Sequence, residues 1–346
     1  MDYNEIYNRL PGALLPWYRS SHRDLPWRLS KDPYHIWVSE IMLQQTRVEA
    51  VKGYYSRFLE KLPTIEDLAN ADDELLHKLW EGLGYYNRAN NLKKAAEVIM
   101  EKLGGQFPQN YEEVLSLPGI GAYTAGAICS IAFGQKRPAV DGNVLRVLSR
   151  LQADATPIDQ PARKKEVQAL LAEIYPEDAG DFTQALMELG ATICGPNRAP
   201  DCPNCPCKGF CQGYQQGIAA ELPVKTAKKA RRTEEKTVFI LRCEEQYALV
   251  KRPEKGLLAG MWQFPELPGI LELPQALESL GLPVREVHRQ LEKRHIFTHI
   301  EWKMRGIFLE IAEKTPDFQW FSAEEVARDT ALPTAYRQFW DAREDF

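Results

Sequence analysis

The groups in this chain whose types and spacing could do chemistry are two carboxyls, a glycine hairpin and a run of cysteines. The stretch Leu117 to Asn143 reads LPGIGAYTAGAICSIAFGQKRPAVDGN. Gly119 and Gly121 follow Pro118 and open an apolar, alanine-rich helix, so a sharp turn leaves unpaired N–H groups at a helix start, where anions bind. Without side chains, the two glycines let a phosphate reach those amides, and the helix dipole adds partial positive charge. A nucleic-acid backbone is a natural ligand for such an end, although a plain turn between two core helices fits the same residues. About twenty residues on, Asp141 stands in VDGNVLR, where it reads as a helix N-cap, a catalytic carboxylate, or both.

The second carboxyl is Glu40, in the run Ile36 to Thr46 (IWVSEIMLQQT), which is apolar on nearly every side and therefore a buried helix. Helical spacing puts Glu40 on one face with Ile36, Trp37, Leu43 and Gln44. Desolvation there raises a carboxyl pKa and lets it keep a proton near neutral pH. A buried glutamate without a partner is costly, so either a salt bridge satisfies it or a site employs it. Asp141, at a polar loop-to-helix junction, has different surroundings, and the two pKa values are expected to diverge.

Of seven cysteines, Cys194, Cys202, Cys205, Cys207 and Cys211 crowd one short segment. Two residues separate Cys202 from Cys205 and five separate Cys205 from Cys211, in a proline-rich loop too short to build its own core. In a large chain without an export signal this clustering points to a metal rather than disulfides. Four thiolates without histidine suit a [4Fe–4S] cluster or structural zinc.

The elements that must position these groups fall into two kinds. The chain has 346 residues, is 44% hydrophobic and carries a net charge of −5, enough for two domains or more and unlike a protein that coats nucleic acid by bulk charge. Its longest apolar runs are broken by charge or glycine, and MDYNEIYNRL lacks the basic start and apolar core of a leader, so a cytoplasmic location is expected. From Val48 to about Gly134 the pattern is a string of helices of about ten to fifteen residues with short breakers and no strand alternation, an all-α module. Two more helices are expected over 161–193. Asp24-Leu25-Pro26-Trp27-Arg28 reads as a packed surface corner or as the wall of a base pocket. Gly82-Leu83-Gly84-Tyr85-Tyr86 reads as a turn presenting aromatics, suited to wedging between bases, or as core packing. VKTAKKARRTEEK, from Val224 to Lys236, reads as a basic linker. Beyond it the period changes: Val238 to Arg242 and Tyr247 to Val250 flank a polar turn as a hairpin, Trp302 to Leu309 alternates like a strand, and helices are expected near Gln275 to Gly281 and at the C-terminus. That half is α+β.

Taken in order, the WVSEIMLQQT, GLGYY and VDGN segments, the LPGxG hairpin and the four-cysteine loop resemble the adenine DNA glycosylases of the MutY type, within the helix-hairpin-helix glycosylase superfamily. The resemblance covers almost the whole chain, and the tail is similar to a Nudix fold. It implies an all-α glycosylase domain over 1–220, with a six-helix module at about 30–134 and the N-terminal helix joined to 135–220 as a cluster subdomain, then a basic linker at 221–236 and a Nudix-like domain at 237–346. It implies a monomeric, monofunctional enzyme of base excision repair that flips out adenine paired with 8-oxoguanine or guanine in double-stranded DNA and hydrolyses its N-glycosidic bond. Glu40 matches the general acid for adenine N7, Asp141 the group that steadies the cationic sugar, and Tyr123 and Asn143 the sugar side of the site. Arg23, Leu25, Trp27, Arg28 and Glu188 match the adenine pocket. Gln45 and Tyr85 match residues that enter the duplex, with Thr46, Gly119 and Gly121 as further DNA contacts. Phe297, Thr298 and His299 match the loop that reads 8-oxoguanine. Cys194, Cys202, Cys205 and Cys211 match the ligands of a [4Fe–4S] cluster.

The chain departs from the family pattern in places. The first cysteine gap holds seven residues, Gly195 to Asp201, against the usual six, and Cys207 is an additional thiol. Thr298 stands for a serine and keeps its hydroxyl. No run in the tail resembles the Nudix catalytic box, so nucleotide hydrolysis is not expected. Three other readings use the same features. An endonuclease III-like lyase needs a lysine in the hairpin helix, where this chain has Tyr123 and no lysine between Pro118 and Gln135. A G:T mismatch thymine glycosylase would share the helical module. A non-catalytic, redox-sensing iron–sulfur protein would leave Glu40 without a reason.

Overall fold

A computed structural model describes residues 3–196, 199–227, 230–343 and 346. They form two compact units, one of residues 1–70 with 91–227 and one of residues 71–90 with 228–346. Among the described residues no helix is long and apolar enough to cross a membrane.

The first unit is helical. Its helices are α1 (Tyr3–Ser21), α2 (Pro33–Leu43), α3 (Val48–Lys61) and α4 (Ile65–Asn70); after α5 (Asp73–Trp80), which belongs to the second unit, come α6 (Asn87–Lys102, shared between the units), α7 (Tyr111–Ser116), α8 (Ala122–Phe133), α9 (Gly142–Gln152), α10 (Pro161–Ile174), α11 (Ala179–Thr192) and α12 (Gln212–Gln215). The expected length of ten to fifteen residues fails for α4, α5 and α7, which are one or two turns long. Side-chain caps fix the starts of two of these: Asp72 accepts from the Glu74 amide before α5, and Asn110 from the amides of Glu112 and Glu113 before α7. Helix α2 enters at Asp32-Pro33-Tyr34, as that sequence predicts, with Pro33 in its first turn and Asp32 accepting from the Tyr34 amide. It stops at Leu43 rather than Thr46, because Gln45 takes a left-handed backbone with φ of 59°.

The core of this unit ties the chain's first helix to its later ones. Ile6, Leu10 and Leu14 of α1 pack with Val144, Leu148 and Leu151 of α9 and with Phe182, Leu186 and Leu189 of α11. Helix α8 is apolar all round and lies close to the chain beyond it: a Cβ on Gly126 would sit 2.4 Å from the Pro138 carbonyl oxygen. Only glycine permits that approach.

The second unit carries a mixed sheet. Its strands are β1 (Arg232–Cys243), β2 (Gln246–Lys251), β3 (Trp262–Gln263), β4 (Glu266–Pro268), β5 (Val284–Ile296), β6 (Ile300–Ile311) and β7 (Gln319–Ser322), with α13 (Leu273–Leu280), α14 (Ala323–Asp329) and α15 (Thr334–Trp340). The order is β3-β2-β1-β6-β5, with β4 on β1 and β7 on β2. Strands β1 and β6 run parallel, while the expected β1–β2 hairpin pairs antiparallel, Arg242 opposite Tyr247. Period-two alternation sends Val238 and Ile240 to a core shared with Tyr336 and Phe339 of α15, and Phe239 and Leu241 to another shared with Ala276 of α13. Each sheet face is thus covered by a helix.

The expected linker at 221–236 is shorter than its composition suggested. Val224 accepts from the Ile158 amide, Thr226 donates to Asp159, and β1 has begun by Arg232, where pairing with Ile300 of β6 outweighs the low hydrophobicity of the stretch. Lys228 and Lys229 of that basic run lie outside the described residues.

Candidate active site

Four helices and a short turn bring the carboxyls together. Glu40 comes from α2, Tyr123 from the first turn of α8, Asp141 and Asn143 from the start of α9, Glu188 from α11, and Leu25, Trp27 and Arg28 from the turn before α2. These residues, with Arg23 and Thr46, line one cavity of about 170 Å³. Thr46, expected at the DNA surface, is part of that lining.

Glu40 is 5% exposed, and the Tyr123 hydroxyl donates to its Oε2 at 2.5 Å. Burial pushes its carboxyl up to about 7; the Tyr123 hydrogen bond and Arg28 pull it down, and Asp141 adds to the rise. Burial and the neighbouring carboxyls hold the Tyr123 hydroxyl far above its ordinary value, so it remains a donor. Asp141 caps α9 through the Val144 amide (2.8 Å) and accepts from Asn143 Nδ2 (2.6 Å). The helix cap expected of Asp141 is thus present, and the same side chain stands on the cavity wall. Burial raises its carboxyl too, opposed by the Val144 amide, the Asn143 amide and the Arg146 charge. The two carboxyls therefore shift in the same direction, and what separates them is their partners: a lone hydroxyl at Glu40, several polar donors at Asp141.

Asn143 is held in turn. Its Oδ1 accepts from Arg146 Nη2 (2.7 Å), and Arg146 also donates to the carbonyls of Gly190 and Cys194. Helices α9 and α11 touch here closely enough that a Cβ on Gly190 would stand 2.6 Å from Asn143 Cβ. A chain of hydrogen bonds thus runs from Asp141 to the cysteine loop.

On the opposite wall, Glu188 is 1% exposed and receives both arginines. Arg23 donates from its amide, Nε and Nη2 at 2.8–3.0 Å, and Arg28 Nη2 donates at 2.8 Å. Burial alone would raise this carboxyl, yet the two guanidinium groups hold it at about 2. Replacing Glu188 with Gln leaves two cations facing a neutral group, and breaking a buried pair costs about 3 kcal/mol or more. The expected result is a fall in Tm of roughly 10 °C for a unit of this size, measured by thermal denaturation at pH 7. An unchanged Tm would show that the pair does not hold the wall.

Met187, Gln184 and Ala191 also line the cavity and were missed in the sequence. Their signal was available: with Glu188 they occupy one face of α11 at helical spacing. Ser39, Val48 and Ile131, also lining it, carried no such signal.

The remaining candidates lie elsewhere. Gly119 and Gly121 form the exposed turn between α7 and α8, with Gly119 at φ 75° and no side chain capping α8. A Cβ on Gly119 would meet Asn91 Cβ at 2.6 Å, so the position requires glycine twice over. Gln45 is exposed and left-handed. In the second unit, Tyr85 is 48% exposed, has φ of 49°, and its hydroxyl lies 2.6 Å from Thr298 Oγ1. Phe297, Thr298 and His299 form the β5–β6 turn: Phe297 packs edge-on to Trp302 (4.8 Å), while Thr298 and His299 are exposed. Left-handed non-glycine residues are strained and collect at functional sites.

Cys194, Cys202, Cys205, Cys207 and Cys211 converge on one apolar cavity, and none is in a disulfide. Arg150 donates to Cys194 Sγ at 3.2 Å and to its carbonyl. An all-sulfur donor set in an apolar pocket beside a buried cation suits an iron–sulfur cluster or zinc. Asn197 and Arg198, within the first cysteine gap, lie outside the described residues.

Residues 38–177 match the HhH-GPD superfamily of base excision DNA repair proteins, and residues 237–342 match the NUDIX domain. A human adenine DNA glycosylase is 35% identical over 95% of this chain and 73% of its own. Among solved structures, a thermostable thymine-DNA glycosylase is 32% identical with a TM-score of 0.56, over 62% of this chain and 98% of its own. A trapped endonuclease III–DNA covalent intermediate is 25% identical with a TM-score of 0.54, over 63% of this chain and 99% of its own.

Proposed function

The chain belongs to the adenine DNA glycosylase family, and from that premise we propose that it removes adenine from double-stranded DNA where adenine faces 8-oxoguanine or guanine. The observation that carries this reading is the pair of carboxyls on one cavity, one under a single hydroxyl and one under several polar donors. Breaking an N-glycosidic bond needs a proton on a poor leaving base and negative charge beside a cationic sugar. Glu40, protonated near neutral pH, donates to the extruded adenine at N7. Asp141 is kept beside the sugar by Asn143 and the Val144 amide. The Glu188–Arg23–Arg28 cluster fixes the wall against which the flipped base stacks and excludes water from it.

The exposed glycine turn before α8 takes a phosphate, Gln45 and Tyr85 enter the duplex, and Phe297 to His299 read the opposite base, at the usual expense of unstacking. Cys194, Cys202, Cys205 and Cys211 hold a [4Fe–4S] cluster in this reading, with Cys207 beside it. A cluster held there would crosslink the loop. A helical domain and a sheet domain that begins with β1, a single copy in solution and a cytoplasmic location complete the proposal.

The test is a single-turnover assay on duplexes bearing 8-oxoguanine:adenine, guanine:adenine, guanine:thymine and an abasic site, the last with borohydride. Adenine release opposite 8-oxoguanine and then guanine is expected, with no thymine release. Efficient covalent trapping would overturn the monofunctional assignment, because Tyr123 offers no amine for a Schiff base. Thymine release faster than adenine release would replace the adenine reading.

A further inference from the structure

The turn from Gly82 to Tyr86 is held by a residue that the mechanism above does not use. Arg88, at the start of α6, donates from Nη2 to the carbonyls of Leu83 (3.1 Å) and Gly84 (3.0 Å). Trp80 Nε1 donates to the same Gly84 carbonyl at 3.2 Å, and the Gly82 amide donates to the Tyr86 hydroxyl at 3.2 Å. The guanidinium carbon lies 5.3 Å from the Trp80 ring centroid and 5.7 Å from that of Tyr85. Gly82 and Gly84 have positive φ at 96° and 70°, and Tyr85 follows at 49°.

Physically, the arrangement stores a strained conformation. A left-handed tyrosine is strained and persists only where its surroundings over-determine it. One guanidinium nitrogen donates to both carbonyls while the planar group stacks near two aromatic rings, an arrangement a lysine ammonium reproduces only in part. Burial lowers the Arg88 guanidinium to about 10, so it is still charged at neutral pH. The outcome of the clamp is the placement of Tyr85, whose hydroxyl meets Thr298 on the β5–β6 turn.

We propose that Arg88 is a positioning residue for opposite-base discrimination: it fixes the left-handed Tyr85, and through the Tyr85–Thr298 hydroxyl pair it sets the loop that reads the base across from adenine. This rests on the proposed reading of Tyr85 and Thr298. Arg88 acts through this turn and not as a phosphate contact.

The test compares the full-length protein with Arg88→Met, Arg88→Lys, Tyr85→Phe, Thr298→Val and the Arg88→Met/Thr298→Val double variant. The measured quantity is the ratio of single-turnover adenine release opposite 8-oxoguanine to that opposite guanine. Arg88→Met is expected to lower this ratio about tenfold, Tyr85→Phe and Thr298→Val to lower it comparably, and Arg88→Lys to recover part of it. The double variant should fall no further than the worse single one, since residues acting through one contact are not additive. A loss of both rates in parallel, with the ratio kept, would mark Arg88 as merely structural and overturn the proposal. So would additive effects, or a salt dependence of duplex binding weakened by about one unit of slope, the mark of a lost phosphate contact. Should Arg88→Met fail to fold, Arg88→Lys and Tyr85→Phe decide: an unchanged ratio in both refutes the clamp. A parent protein that shows no preference for 8-oxoguanine refutes the underlying reading instead.

Discussion

Replacing Glu40 with Gln is expected to slow single-turnover adenine release by about a hundredfold to ten-thousandfold, the usual contribution of a positioned general acid, while duplex affinity stays within a few-fold. Gln fills the same space and can still accept from Tyr123, so what is lost is the proton and not the packing. The parent's pH profile carries the same signature. With the Glu40 carboxyl pushed up to about 7 by burial, the acid is protonated below that value, and the rate should be flat there and fall about tenfold per unit above it. Stability runs the other way for the variant. A carboxyl raised from 4.5 to about 7 makes the folded state hold more protons than the unfolded one between those values, so its contribution is intact below pH 4.5 and is lost as pH rises through 7, a difference of about 3 kcal/mol. Glu40→Gln removes that loss, and its Tm at pH 8 should exceed the parent's. A variant that releases adenine at the parent rate would remove Glu40 from the chemistry.

Asp141→Asn should be nearly as damaging to the rate, by about a hundredfold to a thousandfold, because it deletes the negative charge beside the developing cationic sugar. It should do so without unfolding α9. Asn is as good an N-cap as Asp, and its side-chain oxygen can still accept from the Val144 amide. A second consequence follows from the neighbouring carboxyl. The Asp141 charge helps hold the Glu40 pKa up, so its loss lowers that pKa and moves the falling limb of the residual pH profile toward acid. Rate against pH on the 8-oxoguanine:adenine duplex measures both effects. A normal rate, or a lost rate accompanied by a collapsed Tm, would mean that Asp141 is a cap and nothing more.

Much of the site was legible in the chain because it is written locally. An acid at Glu40 among Ile36, Trp37 and Leu43 announces its own burial through helical spacing, and Asp141 before Gly142-Asn143-Val144 announces a helix start. The cysteine spacing announces a convergence of thiols. Helix ends were less legible: α2 stops at Leu43 rather than at Thr46, because Gln45 takes up a strained backbone that no propensity favours. The linker failed for a related reason, since Arg232 to Lys236 has the composition of a tether but finds a parallel partner in β6.

What the order of residues determined by itself, then, was the helical module, the change of period near residue 237, the acid in an apolar face, the capping aspartate and the thiol cluster. The tertiary structure alone decided which of these meet: Glu188 with Arg23 and Arg28 across some 160 positions, Glu40 with Tyr123 across 83, and Tyr85 with Thr298 across 213. Periodicity and capping act over a few residues, so they are recorded in neighbouring letters. Pairings between distant side chains depend on how whole helices and sheets pack, and no short stretch of sequence records them.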